Sequence, residues 1–342
     1  MKALQCVKYG PNAEDALQIL EVSRPKKVRR GCLLVEVLAC GVDFVQTLMM
    51  QNKYQLKVPL PFTLGGEATG KVVAIGEHVE GFEIGDLVHG AGFGCFCEYV
   101  EFPAFGVIKL APNTDPVFAP SLYSYVTAIH ALKSRAKLEE GETLLVLGAS
   151  GGVGSAAVQI GKILGATVIA AAPTEEKLET CKKLGADHVI NYRTENLKLR
   201  VRELTDGEGA NVVFDPVGDK YCEPAVRSLG WRGRLIVIGF AAGDIPSIPT
   251  NLLLLKEGSL IGSALRESNI YDPMGSLAER NDLVEWHNKG LIKPLVSKVV
   301  RLENASQAFE IIQNRQVQGK VVLVTDAYEK QYGSVVGIGS RL

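Results

Sequence analysis

The stretch from Thr143 to Gly161 reads T-L-L-V-L-G-A-S-G-G-V-G-S-A-A-V-Q-I-G. Its apolar run Leu144 to Leu147 has the length and composition of a strand buried on both faces of a parallel sheet. Glycines then crowd in at Gly148, Gly151, Gly152 and Gly154, and from Gly152 onward Val153, Ala156, Ala157, Ile160 and Leu164 recur at helical spacing. The pattern predicts a strand, a tight turn and a helix that begins inside the glycines. Such a unit needs a neighbouring parallel strand, so it commits the chain to an α/β class with a doubly wound parallel sheet of the Rossmann type. It also suits one ligand chemistry. Pyrophosphate seeks unpaired backbone N–H groups and the positive end of a helix dipole, and small residues let the backbone come close. The spelling G-x-x-G-G-x-G departs from the usual G-x-G-x-x-G, and by itself it also fits a small-residue turn that packs a helix onto a sheet.

Context favours the nucleotide. A second β run, Thr167 to Ala171, lies where an NAD site would place an acid for the ribose 2′-hydroxyl, but Ala170-Ala171-Ala172 stand there instead. Thr174 and Lys177 follow, and Tyr192-Arg193 come after the third strand. Hydroxyls and a cation suit a 2′-phosphate, so the expected cofactor is NADPH rather than NADH.

A chain of 342 residues exceeds what one core usually fills, and two domains are expected. A net charge of −1 and 22% charged residues show no bias toward nucleic acid or membrane. Met1-Lys2-Ala3-Leu4 runs into a strand-like pattern without a signal-peptide core, and no transmembrane helix is expected. The seven cysteines are read as free thiols: an odd number, with only Cys95 and Cys97 close together and no C-x-x-C spacing. His78, His89, His130, His188 and His287 show no ligand spacing either. No metal is expected.

Along the chain, residues 1 to about 126 read as an all-β, barrel-like segment. Its strands include Leu33 to Leu38, Lys71 to Ile75 and Asp86 to His89, punctuated by Gly65-Gly66, Gly76, Gly81 and Gly85. Ser121 to Leu132 turns helical. After Leu144 strands and helices alternate, with a helix from Glu175 to Leu184 ended by Gly185 and further strands at Asp187 to Ile190, Asn211 to Phe214 and Arg234 to Ile238. The alternation lapses near Ala264 to Arg266, and Leu283 to Val324 reads as helix, strand, helix, strand returning to the first domain.

Several local motifs now join: Cys40-Gly41-Val42-Asp43-Phe44, Tyr54, Pro59-Leu60-Pro61-Phe62, Gly65-Gly66-Glu67, Gly85-Asp86, Gly151-Gly152-Val153-Gly154, Leu184-Gly185-Ala186, Asp215-Pro216-Val217-Gly218 and Gly239-Phe240. On these residues almost the whole chain resembles the zinc-free quinone oxidoreductases of the medium-chain dehydrogenase/reductase superfamily, the zeta-crystallin-like and quinone oxidoreductase-like proteins. The resemblance implies a GroES-like, β-barrel-type catalytic domain at 1–126, a Rossmann NADPH-binding domain at 127–264 and a return to the catalytic domain at 265–326; beyond it the glycines Gly333, Gly337 and Gly339 read as a flexible tail at 327–342. Zinc members of the superfamily use a Cys in the segment that here reads Gly41-Val42-Asp43 and a His in the motif that here reads Gly65-Gly66-Glu67. Asp43 and Gly66 take those places, and a tetrahedral zinc that loses its His loses a ligand outright. Without a Lewis acid the protein suits acceptors already made electron-poor by conjugation.

By the same resemblance Gly151, Gly152 and Val153 cradle the pyrophosphate, Thr174, Lys177 and Tyr192 face the 2′-phosphate, and Thr127, Val217 and Phe240 lie along the ribose and nicotinamide. Asp43 and Tyr54 are the candidate catalytic residues. The family usually has Asn where Asp43 stands, and Leu48 replaces a second tyrosine found in some members. The leading expectation is hydride transfer from NADPH to a quinone or similar small conjugated carbonyl. Enone or 2-enoyl thioester reduction with Tyr54 as proton donor is the alternative, and a non-catalytic, crystallin-like NADPH-binding role is another. No basic stripe marks a nucleic-acid surface. A homodimer is implied, because the run Ser259 to Leu265 sits where relatives pair edge strands. The terminal Ser340-Arg341-Leu342 differs from the peroxisomal signal S-K-L by one cation, so the expected address is cytoplasmic, or peroxisomal if that signal is read.

Overall fold

The apolar run after Thr143 does become a buried strand, Thr143–Leu147, with Leu144, Leu145, Val146 and Leu147 all 0% exposed. A computed structural model describes residues 1–334 and divides the chain into two units. One is Met1–Tyr123 together with the chain from Pro294 onward; the other is Ser124–Lys293.

The second unit holds a six-stranded sheet in the order His188–Asn191, Thr167–Ala172, Thr143–Leu147, Ala210–Asp215, Leu229–Val237, Ser259–Gly262. Every pairing in it is parallel. In chain order that is 3-2-1-4-5-6, the doubly wound dinucleotide-binding arrangement. The helix Gly152–Ile163 lies close on this sheet because Gly161 is bare: a Cβ there would stand 2.6 Å from Leu144 Cδ2. The helices Leu265–Tyr271 and Pro273–Asn288 also belong to this unit, so the return to the first unit comes at Pro294 and not near residue 265. Polar anchoring explains it. Buried Glu279 meets His130 Nδ1 at 2.9 Å and accepts from Ser134 Oγ.

The first unit is organised on the long strand Cys32–Val42. Glu67–Ile75 and Tyr99–Pro103 pair with it antiparallel, as does the returning strand Lys320–Val324. Leu87–Ala91, Ile108–Lys109 and Val296–Arg301 complete the sheet, and a smaller sheet orders Leu17–Glu21, Lys2–Cys6 and Phe62–Thr63. The cysteines end in cores: all seven are free and buried.

The expected tail beginning at residue 327 is corrected in its first part. Asp326–Tyr332 forms a helix. Asp326 is gripped by Lys2 Nζ at 2.8 Å and Arg301 Nη2 at 2.8 Å, Tyr328 is buried, and the Tyr328 and Tyr332 rings stack at 5.0 Å. The Ser340-Arg341-Leu342 signal lies outside the described residues. Among those described, no helix is long and apolar enough to cross a membrane.

Candidate active site

In the second unit, register aligns the carboxyl ends of the strands. Leu147 pairs with Ala171, Ala172 with Asn191, Phe214 with Val146 and Asp215 with Val237. The residues just beyond those ends are therefore neighbours along one rim, and open α/β sheets bind ligands there. Gly151 and Gly152 follow the first strand, Thr174 and Lys177 the second, Tyr192 the third, Val217 the fourth and Phe240 the fifth. Seven of the nine predicted cofactor residues thus lie on this rim, and Val153 follows Gly152 into the helix. Thr127 comes from the helix Leu122–Ile129 rather than from a strand end and is partly buried.

The glycine turn is built for close approach. At Gly154 a Cβ would lie 2.2 Å from the Gly148 carbonyl oxygen and 2.9 Å from Ala149 Cα, both backbone atoms that cannot swing aside. The first N–H groups of helix Gly152–Ile163 have no carbonyl one turn back to bond. A narrow backbone cradle at a helix N-terminus fits a pyrophosphate. Thr174 caps the next helix, Glu175–Lys183, its side chain accepting from the Lys177 N–H at 3.4 Å. Lys177 then rises from the first turn, half-buried. The Tyr192 ring leans on Tyr221 with centroids 4.7 Å apart, which fixes where its phenol points.

In the first unit a buried charge cluster surrounds Asp43. That residue is the N-cap of the helix Phe44–Met50, and its N–H donates to Gln46 Oε1 at 2.7 Å. Its carboxylate meets Lys320 Nζ at 2.6 Å, and the same ammonium lies 2.5 Å from Glu67 Oε1. Lys320 is 2% exposed and Glu67 0%. Gly41 makes the approach possible, because a Cβ on it would lie 2.2 Å from Glu67 Oε1 and 2.3 Å from Lys320 Cε. Glu67 Oε2 is 3.5 Å from His89 Nε2, whose Nδ1 is 3.0 Å from Thr69 Oγ1.

Burial pushes the Glu67 carboxyl up to about 8 against the pull of Lys320. Burial would lower Lys320, but Asp43 and Glu67 outweigh it and hold the ammonium above its ordinary value. Burial also drives His89 down to about 3, with Lys320 adding repulsion. The cluster therefore holds one ammonium between the Asp43 and Glu67 carboxyl groups, beside an imidazole kept neutral. Two phenols stand near it. Tyr123 is pushed up to about 12 by burial and then by Glu67, Asp43 and Tyr54. Tyr54 follows the Phe44–Met50 helix, partly buried against the first unit's core.

Comparison with known proteins agrees with this architecture. Residues 29–112 match the alcohol dehydrogenase GroES-like domain, and residues 152–280 match the domain described as zinc-binding dehydrogenase. Quinone oxidoreductase-like protein 2 of Rattus norvegicus is 36% identical over 91% of this chain and 89% of its own length. The chain belongs to the quinone oxidoreductase-like family of the medium-chain dehydrogenase/reductase superfamily. Among solved structures, the Escherichia coli quinone oxidoreductase complexed with NADPH is 28% identical, with a TM-score of 0.87 over 95% of this chain and 100% of its own. The CurK enoyl reductase is 26% identical, with a TM-score of 0.86 over 95% and 99%.

At the two places where zinc members of this superfamily carry ligands, the geometry here is specific. Gly66 lies against Gln46, whose Nε2 would be 3.1 Å from a Cβ at that position. Asp43 spends its carboxylate on Lys320. Sequence reasoning picked out Asp43 and Tyr54 but gave no role to Glu67, His89, Tyr123 or Lys320. One signal was available: Lys320 is the single charge opening an otherwise apolar strand, Lys320–Val324, every residue of which is buried.

Proposed function

We propose that this oxidoreductase uses NADPH to pass a hydride to a quinone or a similar conjugated carbonyl, without zinc. The observation that carries the reading is the Lys320 ammonium held between Asp43 and Glu67, which occupies the carboxylate at a position where zinc members of the superfamily carry a ligand. Gly66 offers no ligand atom and the Asp43 carboxylate is already taken by the Lys320 ammonium, so the two positions offer a metal little. Without a Lewis acid the acceptor itself must carry the electron demand, and conjugated carbonyls do so.

NADPH rests on the strand-end rim: Gly151, Gly152 and Val153 hold the pyrophosphate, Thr174, Lys177 and Tyr192 take the 2′-phosphate, and Thr127, Val217 and Phe240 line the ribose and nicotinamide. The E. coli relative complexed with NADPH supports this assignment. The bound cofactor supplies the hydride. The protein's part is to orient, to exclude water and to supply a proton. Asp43 and Tyr54 face the acceptor, with the Tyr54 phenol as the group that gives a proton to the reduced acceptor.

Reduction of an enone or enoyl thioester is the second reading, favoured by the two phenols Tyr54 and Tyr123 near the Asp43 cluster and by the likeness to an enoyl reductase. NADPH oxidation followed with a quinone, an enone, an enoyl thioester and no acceptor separates the readings. Turnover fastest with the quinone, and reduced by Tyr54→Phe, is the expected result. Turnover with the thioester alone would install the second reading, and binding of NADPH without turnover on any acceptor would leave a crystallin-like role. We further assign a homodimer through the edge strand Ser259–Gly262, beside which Leu254 and Leu255 are 80% and 72% exposed.

A further inference from the structure

Asp215 ends the strand Ala210–Asp215 on the cofactor rim and is 2% exposed. A buried carboxylate is costly unless its oxygens are used. One of them, Oδ1, accepts both the Val217 N–H and the Gly218 N–H, each at 2.8 Å. These N–H groups are consumed inside the protein and cannot serve a ligand, so the carboxylate acts on the backbone. The turn it grips is one that a chain does not hold unaided. Gly218 has φ +67° and ψ −146°, a region open to glycine alone, and Asp219 follows at φ +51°.

The rest of the turn is laced to the next loop. Ala241 N–H donates to the Pro216 carbonyl at 3.0 Å, Ala242 N–H to the Val217 carbonyl at 2.9 Å, and Asp219 N–H to the Asp244 carbonyl at 3.1 Å. Side chains lock in the same place. A Cβ on Gly218 would lie 2.8 Å from Phe240 Cδ1, and one on Gly148 would lie 3.0 Å from Val217 Cγ2. Val217 and Phe240 therefore share one rigid ridge, and Asp215 is its anchor.

We propose that Asp215 is a positioning residue for the dinucleotide, holding Val217 and Phe240 in place for its nicotinamide half while the adenosine half is bound independently at Thr174, Lys177 and Tyr192. The proposal rests on the assignment of the rim to NADPH and goes beyond it by dividing the rim into two separately tunable parts. A general structural role predicts something else: loss of Asp215 would then weaken every part of the ligand alike.

The test measures binding by calorimetry for NADPH and for adenosine 2′,5′-bisphosphate, which has the 2′-phosphate but no nicotinamide. Asp215→Ala leaves two buried N–H donors unpaired and should weaken NADPH about tenfold or more. The bisphosphate should change less than about twofold, and Asp215→Asn, which keeps an acceptor oxygen, should restore most of the NADPH affinity. Gly218→Ala disturbs the same turn from the Phe240 side and should reproduce the split, so the idea stays testable if Asp215→Ala does not fold. Equal losses for both ligands, or no loss for NADPH in either variant, would overturn it. A wild type that binds the bisphosphate but not NADPH more tightly would also end it, by showing that the nicotinamide half gains nothing from the ridge. A wild type that binds neither ligand would instead sink the cofactor assignment on which it stands.

Discussion

Replacing Lys320 by Met removes the ammonium with its charge and its donors and leaves an apolar side chain one atom shorter. In the native protein that ammonium lies 2.5 Å from Glu67 and 2.6 Å from Asp43, with Lys320 2% exposed and Glu67 0%. Breaking a buried pair by removing one partner costs about 3 to 5 kcal/mol, since the other charge is left unpaired. The lower end applies here, because Glu67 can escape by keeping its proton: its carboxyl is already pushed up to about 8. A loss of ~3 kcal/mol in a cooperative unit of this size lowers Tm by roughly 6 to 12 °C. The assay is thermal unfolding across pH, and it carries a sign. Glu67 has its folded pKa above its ordinary 4.5, so its contribution is fully present below pH 4.5 and is lost as pH rises through about 8. Removing the cation raises the folded value further, so the gap between Lys320→Met and wild type should widen from pH 7 to pH 9. Adding Glu67→Gln to Lys320→Met should recover part of the loss and flatten that widening, because the stranded acid is gone. A fall in Tm of less than about 2 °C, or a gap that does not depend on pH, would refute the picture of a buried charge cluster.

Other outcomes follow from the same geometry. Lys177→Ala should weaken NADPH about tenfold or more and leave NADH nearly unchanged, as binding titrations would register, because a charge-assisted phosphate contact is worth ~1.5 to 3 kcal/mol. Elemental analysis of purified protein should find no stoichiometric zinc, and activity should survive chelation; one zinc per chain, lost together with activity, would contradict the Asp43–Lys320 reading. Leu260, 40% exposed on the edge strand Ser259–Gly262, is the position at which to test association. Leu260→Lys should shift the protein to monomer in sedimentation, and an unchanged dimer would move the interface elsewhere.

What could be read in advance follows from how far apart the cooperating residues lie in the chain. The glycine turn, the pair Thr174 and Lys177 and the absence of an acid after Thr167–Ala172 are local features, and the parallel register Leu147 with Ala171 and Ala172 with Asn191 carried them to one rim as the alternating pattern implied. The second crossing between units was misplaced because the helix Pro273–Asn288 is held by Glu279 to His130, a contact no periodicity reports. The same limit hid the cluster around Asp43. Its existence depends on Lys320–Val324 pairing antiparallel with Cys32–Val42, which sets Val321 against Val42 and Val322 against Gly41, and so brings Lys320 beside Asp43. A lysine opening a fully buried strand already demands an anion somewhere. Many acids along the chain could answer that demand, and only the register, together with a glycine at position 41 that leaves the space, selects Asp43 and Glu67. That selection ties stability to chemistry: the ammonium that closes the returning strand onto the first unit is the charge that fixes Asp43, so a variant that loses one should lose the other.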